Sequence, residues 1–160
     1  MKQLVCDTGP LNYLIQIGAV EFLPALFSQI LIPHSVYHEL IAPAAPPEVR
    51  AWTSRLPSWC RILDTNIKLV SDFHGLSEAD LDVPLIARET NSAVLLDDLA
   101  ARKAARQFGL LLLGTLGFLE LAATRKLLSL PDAVSKLQQT IIRISQDLYN
   151  EVLLRNGFGK

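Results

Sequence analysis

Short runs of apolar residues recur along the chain, each stopped by turn or cap residues. Leu4-Val5-Cys6 ends at Asp7-Thr8-Gly9-Pro10, Ile30-Leu31-Ile32 at Pro33, and Cys60 to Leu63 at Asp64-Thr65-Asn66. Ala93 to Leu96 ends at Asp97-Asp98, and Leu110 to Leu113 at Gly114-Thr115. Runs this short, apolar on both faces, suit strands buried in a parallel sheet. Between them the polarity repeats with helical spacing. Ala101, Ala104, Ala105 and Phe108 stand at i, i+3, i+4 and i+7, with Arg102, Lys103 and Arg106 on the other face and Gly109 as the stop. Strands alternating with helices predict an α/β sandwich with right-handed crossovers. Beyond the fifth run the pattern is helical throughout: Leu116 to Leu128, Asp132 to Ile142, and Ser145 to Leu154, with Ser145 placed to cap the last helix and Gly157 to end it. Pro43-Ala44-Ala45-Pro46-Pro47 reads as a loop, and Thr65 to Ser77 as a long connection. Without repeats or low-complexity tracts, residues 1–160 read as a single domain in which 116–160 form a C-terminal helical extension.

Composition narrows the class. The chain has 160 residues, 50% hydrophobic and 19% charged, enough apolar material for a sizeable core and too much for a disordered segment. Two cysteines support neither a disulfide framework nor a CxxC-type zinc site. The longest apolar stretch, Phe108 to Ala123, is broken by Gly109, Gly114, Gly117 and Glu120, too short for a membrane span. No basic-apolar leader opens the chain, so a soluble cytoplasmic protein is expected. The net charge of −1 hides two opposed parts, because residues 1–100 carry 6 Lys+Arg against 12 Asp+Glu and residues 101–160 carry 9 against 4. Such asymmetry occurs at nucleic-acid and metal sites, and also as ordinary surface drift.

The placement of the acids is more informative. Asp7 closes the first strand, and Asp97 and Asp98 close the fourth. Ligands of open α/β sheets bind at the carboxyl ends of the strands, where these three can converge. Glu39 follows Val36 and precedes Leu40 at helical spacing, beside positions that should face the core. Asp80 shares the i, i+3, i+4, i+7 stripe with Val83, Pro84 and Ala87. Carboxylates are rarely buried without a partner, and several together repel and raise one another's pKa. A divalent cation removes that conflict, and carboxylate oxygens without Cys or His suit Mg²⁺ or Mn²⁺. Each acid taken alone also has a structural role open to it. Asp7 and Asp98 stand where helix N-caps do, Ser77-Glu78-Ala79-Asp80 resembles a capping box, and Glu39 has room to pair with an arginine or reach solvent. Capping does not account for two inward acids on separate helices.

Other chemistries find less support. His34 and His38 lie four apart but in carboxylate-rich surroundings, and neither they nor His74 form an HExxH motif. No phosphate-binding GxxxxGK[ST] loop, GxGxxG turn or GxSxG nucleophile elbow is present. Cys6 and Cys60 lie in strands, without the electropositive neighbours that activate a thiol.

The order of these segments resembles the PIN-domain family. It rests on Asp7 at the first strand end, Val36-Tyr37-His38-Glu39-Leu40, Leu76-Ser77-Glu78-Ala79-Asp80 and Leu95-Leu96-Asp97-Asp98. Leu96-Asp97-Asp98 followed by Ala101-Arg102, Gly114-Thr115-Leu116-Gly117, and Ile144-Ser145-Gln146-Asp147-Leu148-Tyr149 are similar to an offshoot of VapC-like toxins, described as PIN-containing nucleic-acid-binding proteins. The resemblance spans essentially the whole chain. It implies a three-layer α/β/α, Rossmann-like sandwich with a parallel sheet of about five strands and extra C-terminal helices. It also implies an acidic set at Asp7, Glu39, Asp80 and Asp98, with Asp97 competing with Asp98, and Asp82 with Asp80. Pro84 departs from comfortable helix sequence, so the middle helix either starts near Asp80–Asp82 or is kinked.

The reaction implied is Mg²⁺- or Mn²⁺-assisted hydrolysis of single-stranded RNA by the toxin of a toxin–antitoxin pair, a homodimer held inactive by an antitoxin protein. Metal ligands would come from Asp7, Asp80, Asp98 and Asp97, and substrate contacts from Thr8 and Arg102, the latter with a guanidinium suited to phosphate. Two rivals stand beside it. One is a PIN-fold nucleic-acid-binding or complex-forming module with weak catalysis. The other, a phosphatase-like hydrolase with Asp7 as nucleophile, expects a second acid two residues on, where this chain has Gly9.

Overall fold

The computed structural model describes residues 1–64 and 78–159, and of residues 78–81 the backbone alone. The long connection expected over Thr65–Ser77, and His74 within it, lie outside the described residues.

Five parallel strands form one sheet: β1 (Leu4–Cys6), β2 (Ile30–Pro33), β3 (Cys60–Leu63), β4 (Ala93–Leu95) and β5 (Leu112–Leu113), in the order β3-β2-β1-β4-β5. β1 lies at the centre, pairing Leu4 with Ile30 on one side and with Ala93 on the other. Leu4, Val5, Cys6, Ile30, Ile32 and Ala93 to Leu96 are wholly buried, which is why these segments read as unbroken apolar runs.

Helices cover both faces, giving three layers. α1 (Thr8–Gln16), α3 (His34–Ile41), α4 (Pro47–Thr53) and α7 (Thr115–Thr124) pack among themselves, while α5 (Glu78–Thr90) packs on α6 (Leu99–Gln107) and on β1, β2 and β4. A short α2 (Leu23–Leu26) precedes β2, and α8 (Leu130–Gln138) and α9 (Gln146–Arg155) close the chain. The chain winds from β1 to β3 in one direction and returns to β4 and β5 in the other. Its topological switch point therefore falls between β1 and β4, where the ligand crevice of an open sheet forms.

Several boundaries differ from the sequence expectation. The start of α1 at Thr8, with Asp7 in the N-cap position, agrees with it: Pro10 enters in the first turn, where a missing N–H costs nothing. The helix expected over Leu116–Leu128 stops at Thr124, and Lys126 adopts a left-handed φ of 60°. The next helix begins earlier, at Leu130, because the Ser129 hydroxyl caps it and Pro131 occupies its first turn. Ser145 caps α9 as expected, accepting from the Leu148 amide. α5 starts at Glu78 and runs through Pro84, so the helix does not begin after the acids.

Candidate active site

Asp7 follows the last residue of the central strand, and its amide donates to the Leu95 carbonyl at 3.0 Å, tying it to the end of β4. It occupies the N-cap position of α1 but its side chain makes no cap hydrogen bond, so the capping role open to it in sequence is not used. The carboxyl group is largely buried. Burial pushes its pKa up to about 6; the Thr8 backbone N–H pulls it down, and the charges of Glu39, Asp98 and Asp97 push it further up. Carboxylates from two other segments thus act on Asp7 through their charge, without converging into one cluster among the described residues. No ion pair among the described residues reaches any of them.

The two acids after β4 divide their work. Asp97 accepts from the Thr115 amide at 2.8 Å and the Thr115 hydroxyl at 2.5 Å, so it ties the end of β4 to the start of α7. Asp98 caps α6, accepting from the Ala101 amide at 2.9 Å through one oxygen. Its other oxygen makes no hydrogen bond among the described residues. Capping and proximity to Asp7 coexist here.

Gly114 sits against this pair. A Cβ there would meet Arg102 Nη1 at 2.7 Å and Asp97 Oδ1 at 2.9 Å, so any larger residue displaces one of these side-chain ends. Arg102 in turn donates to the Leu96 carbonyl at 3.1 Å, which holds its guanidinium over the strand end. The sequence carries no sign of the contact between Gly114–Thr115 and Asp97–Arg102.

The helix acids depart from expectation. Glu39 is exposed, not turned into the core: Val36 and Leu40 are buried, and Glu39 lies at the edge of that stripe, facing a cleft it shares with Thr8. Asp82 accepts from the Ser35 hydroxyl at 3.1 Å, which links the start of α5 to the start of α3. The side chain of Asp80 lies outside the described residues.

Two clefts border the acids. One, of about 470 Å³, is lined by Asp97, Leu99, Arg102, Arg106, Leu148 and Arg155 among others. The other, of about 460 Å³, is lined by Thr8, Asn12, Gln16, Glu39 and an apolar wall. Arg106 belongs to the first, although in sequence it shares the polar face of α6 with Lys103, which is exposed and lines neither cleft.

The remaining candidates make no site. His34 and His38 are exposed, with ring centroids 4.3 Å apart edge to face. Burial raises the Cys6 thiol well above its ordinary pKa and pushes Cys60 up to about 12, so neither supplies a thiolate at neutral pH.

The PIN-domain family model matches residues 3–157 of the chain. The chain belongs to the PIN-domain family. Its nuclease-type fold, the parallel sheet and the acids at the strand ends are thereby joined in one account, since PIN domains are generally nucleases that use divalent metal ions. No curated protein matches the chain. No helix among the described residues of this PIN domain is long and apolar enough to cross a membrane.

The donor set fits such an ion in chemistry: oxygen ligands, and a largely buried carboxyl whose ionisation its surroundings oppose, with no ion pair to it among the described residues. Among the described residues, no three acidic, histidine or cysteine side chains stand close enough together to close around an ion.

Proposed function

We propose that this PIN domain is a metal-dependent endoribonuclease acting on single-stranded RNA. One observation carries the reading: a buried Asp7 at the end of the central strand, its pKa raised to about 6 by burial and by three neighbouring carboxylates, with no ion pair among the described residues. A fold that gathers negative charge without a side-chain counterion is arranged for a cation from solution.

Asp7, Asp98 and, in the proposal, Asp80 and Glu39 would hold Mg²⁺ or Mn²⁺. Asp98 is favoured over Asp97, since Thr115 engages both Asp97 oxygens. When bound, the ion lowers the pKa of a water and offsets charge on the reacting phosphate. The chain's own residues do the rest. Thr115 fixes the rotamer of Asp97, Asp97 and the Leu96 carbonyl flank Arg102, and Arg102 presents its remaining donors toward an incoming phosphate. Thr8 lies beside Asp7 at the mouth of the second cleft.

The biological setting we propose is that of a cytoplasmic toxin restrained by an antitoxin protein, supported by the VapC-like motifs around Leu96–Arg102 and Ile144–Tyr149. Exposed Leu148, Leu154 and Phe158 on and after α9 support a homodimer, checked by light scattering. The deciding experiment for the activity is cleavage of single-stranded RNA with Mg²⁺ or Mn²⁺, against Asp7→Asn and against EDTA. Cleavage that survives either control overturns the assignment. Absence of both cleavage and calorimetric metal binding leaves the PIN fold serving as a binding module.

A further inference from the structure

The second cleft combines amide, hydroxyl and apolar lining with the carboxylate of Glu39. α1 places Thr8, Asn12 and Gln16 four residues apart along its exposed side, and all three line the cleft. Gln16 Nε2 donates to Asn12 Oδ1 at 3.0 Å, which orients the two amides and leaves the Asn12 NH₂ and the Gln16 carbonyl oxygen for another partner. Thr8 Oγ1 is buried and has no hydrogen-bond partner among the described residues, and buried hydroxyls of that kind are exceptional. The accessible apolar lining of the same cleft is Ala44, Pro46 and Ile141, the last 86% exposed, with Leu40 and Val49 buried beneath. Among the described residues no lysine or arginine lines the cleft, and the charged side chain in its lining is Glu39.

We infer that this cleft is a base-recognition pocket, taking an unpaired nucleobase of the RNA strand whose phosphates run past the acids. A base supplies an apolar face for Ala44, Pro46 and Ile141 and a hydrogen-bonding edge for the amides, and it carries no charge to be repelled by Glu39. A cleft of about 460 Å³ admits one nucleotide unit with room for its sugar. The inference rests on the ribonuclease reading for its substrate class, but its test does not require turnover.

The test measures binding of four labelled single-stranded oligoribonucleotides, homopolymers of A, C, G and U, in EDTA, so that no cleavage occurs. The wild type is expected to favour one homopolymer by about tenfold, the value of one well-formed amide–base contact. The Asn12→Ala/Gln16→Ala double variant is expected to bind all four alike. Gln16→Glu, which removes the donor that holds Asn12 Oδ1 and so lets the Asn12 amide turn its oxygen to the cleft, is expected to change which homopolymer is favoured, and it serves if the double variant fails to fold. A wild type without preference, or a preference unchanged in both variants, overturns the pocket; the apolar wall would then fit a protein segment instead. Loss of cleavage in the metal assay with this preference intact would remove the nuclease reading and leave the pocket standing.

Discussion

The two clefts beside the acids have nearly the same volume, about 470 and 460 Å³, and opposite linings. One carries Arg102, Arg106 and Arg155 around an apolar floor; the other carries amides, a hydroxyl and an apolar wall. The positive groups come after residue 100 and the negative centre before it, so the opposed charges of the two stretches become neighbouring surfaces of one site. A polyanion needs both features: cations to hold phosphate beside an acidic centre, and neutral surface where the bases lie. The arginines are also held differently. Arg102 is fixed on a backbone carbonyl, whereas Arg155 is spent on a bidentate pair with Glu120, which keeps the Glu120 carboxyl below its ordinary range. Arg106 makes no ion pair among the described residues, so its charge is the one most available to a ligand.

Removal of Asp7 should have the largest effect. Asp7→Asn is expected to lower RNA cleavage by at least about 100-fold while raising stability. The folded-state pKa of about 6 lies above the unfolded value near 3.8. Stability of the metal-free protein therefore falls as pH rises from about 4 to 6, and the full penalty, about 3 kcal/mol, is present above pH 6. Denaturation of the metal-free wild type and Asp7→Asn at pH 4 and pH 7.5 checks this: the two should converge at the lower pH. A gap that stays constant with pH would mean that Asp7 is not a strained carboxylate.

Next in size is Gly114→Ala. The added methyl displaces the Arg102 guanidinium or the Asp97 carboxylate, and we expect about tenfold weaker RNA binding from disturbed phosphate contact, read by anisotropy. Base preference should persist, because the amide cleft is untouched. Equal loss of both would erase the distinction between the clefts.

Thr115→Val keeps the side-chain volume and removes the hydroxyl bond to Asp97. It should cost about 1–3 kcal/mol in chemical denaturation, since a carboxylate loses a partner at the end of β4. The smallest effect belongs to Arg106→Ala, which should reduce the salt-dependence slope of RNA binding by about 1 with little change in base preference. Lys103→Ala serves as its comparison, because Lys103 shares the helix face but lines neither cleft.

Much of this was legible in the chain. β1, β2 and β4 appeared as apolar runs because they are buried on both faces of the sheet, so no alternation is needed to find them; the edge strands β3 and β5 are only half-buried, and β3 carries the exposed Arg61. Asp7 and Asp98 stood out because turn residues follow strands there. α1 was less legible: Gly9 and Pro10 are turn residues anywhere else, and only the position of Pro10 in the first turn makes them helical. Glu39 shows how coarse helical spacing is, since a residue one step off the buried pair Val36 and Leu40 belongs to the cleft, not the core. The bond from Asp97 to Thr115 joins segments separated by a helix and a strand, and no local pattern announces such a contact. Asn12 and Gln16 carry no motif at all, and their meaning comes only from the wall opposite.

The acids of the site belong to chain segments far apart, from Asp7 at the first strand to Asp98 after the fourth, and Asp97 is secured only once Thr115 is in place. A growing polypeptide therefore carries no assembled centre until β4 has inserted beside β1 and the segment beyond it has emerged. The order of strands acts as a delay: the acids stay apart until most of the sheet has been made.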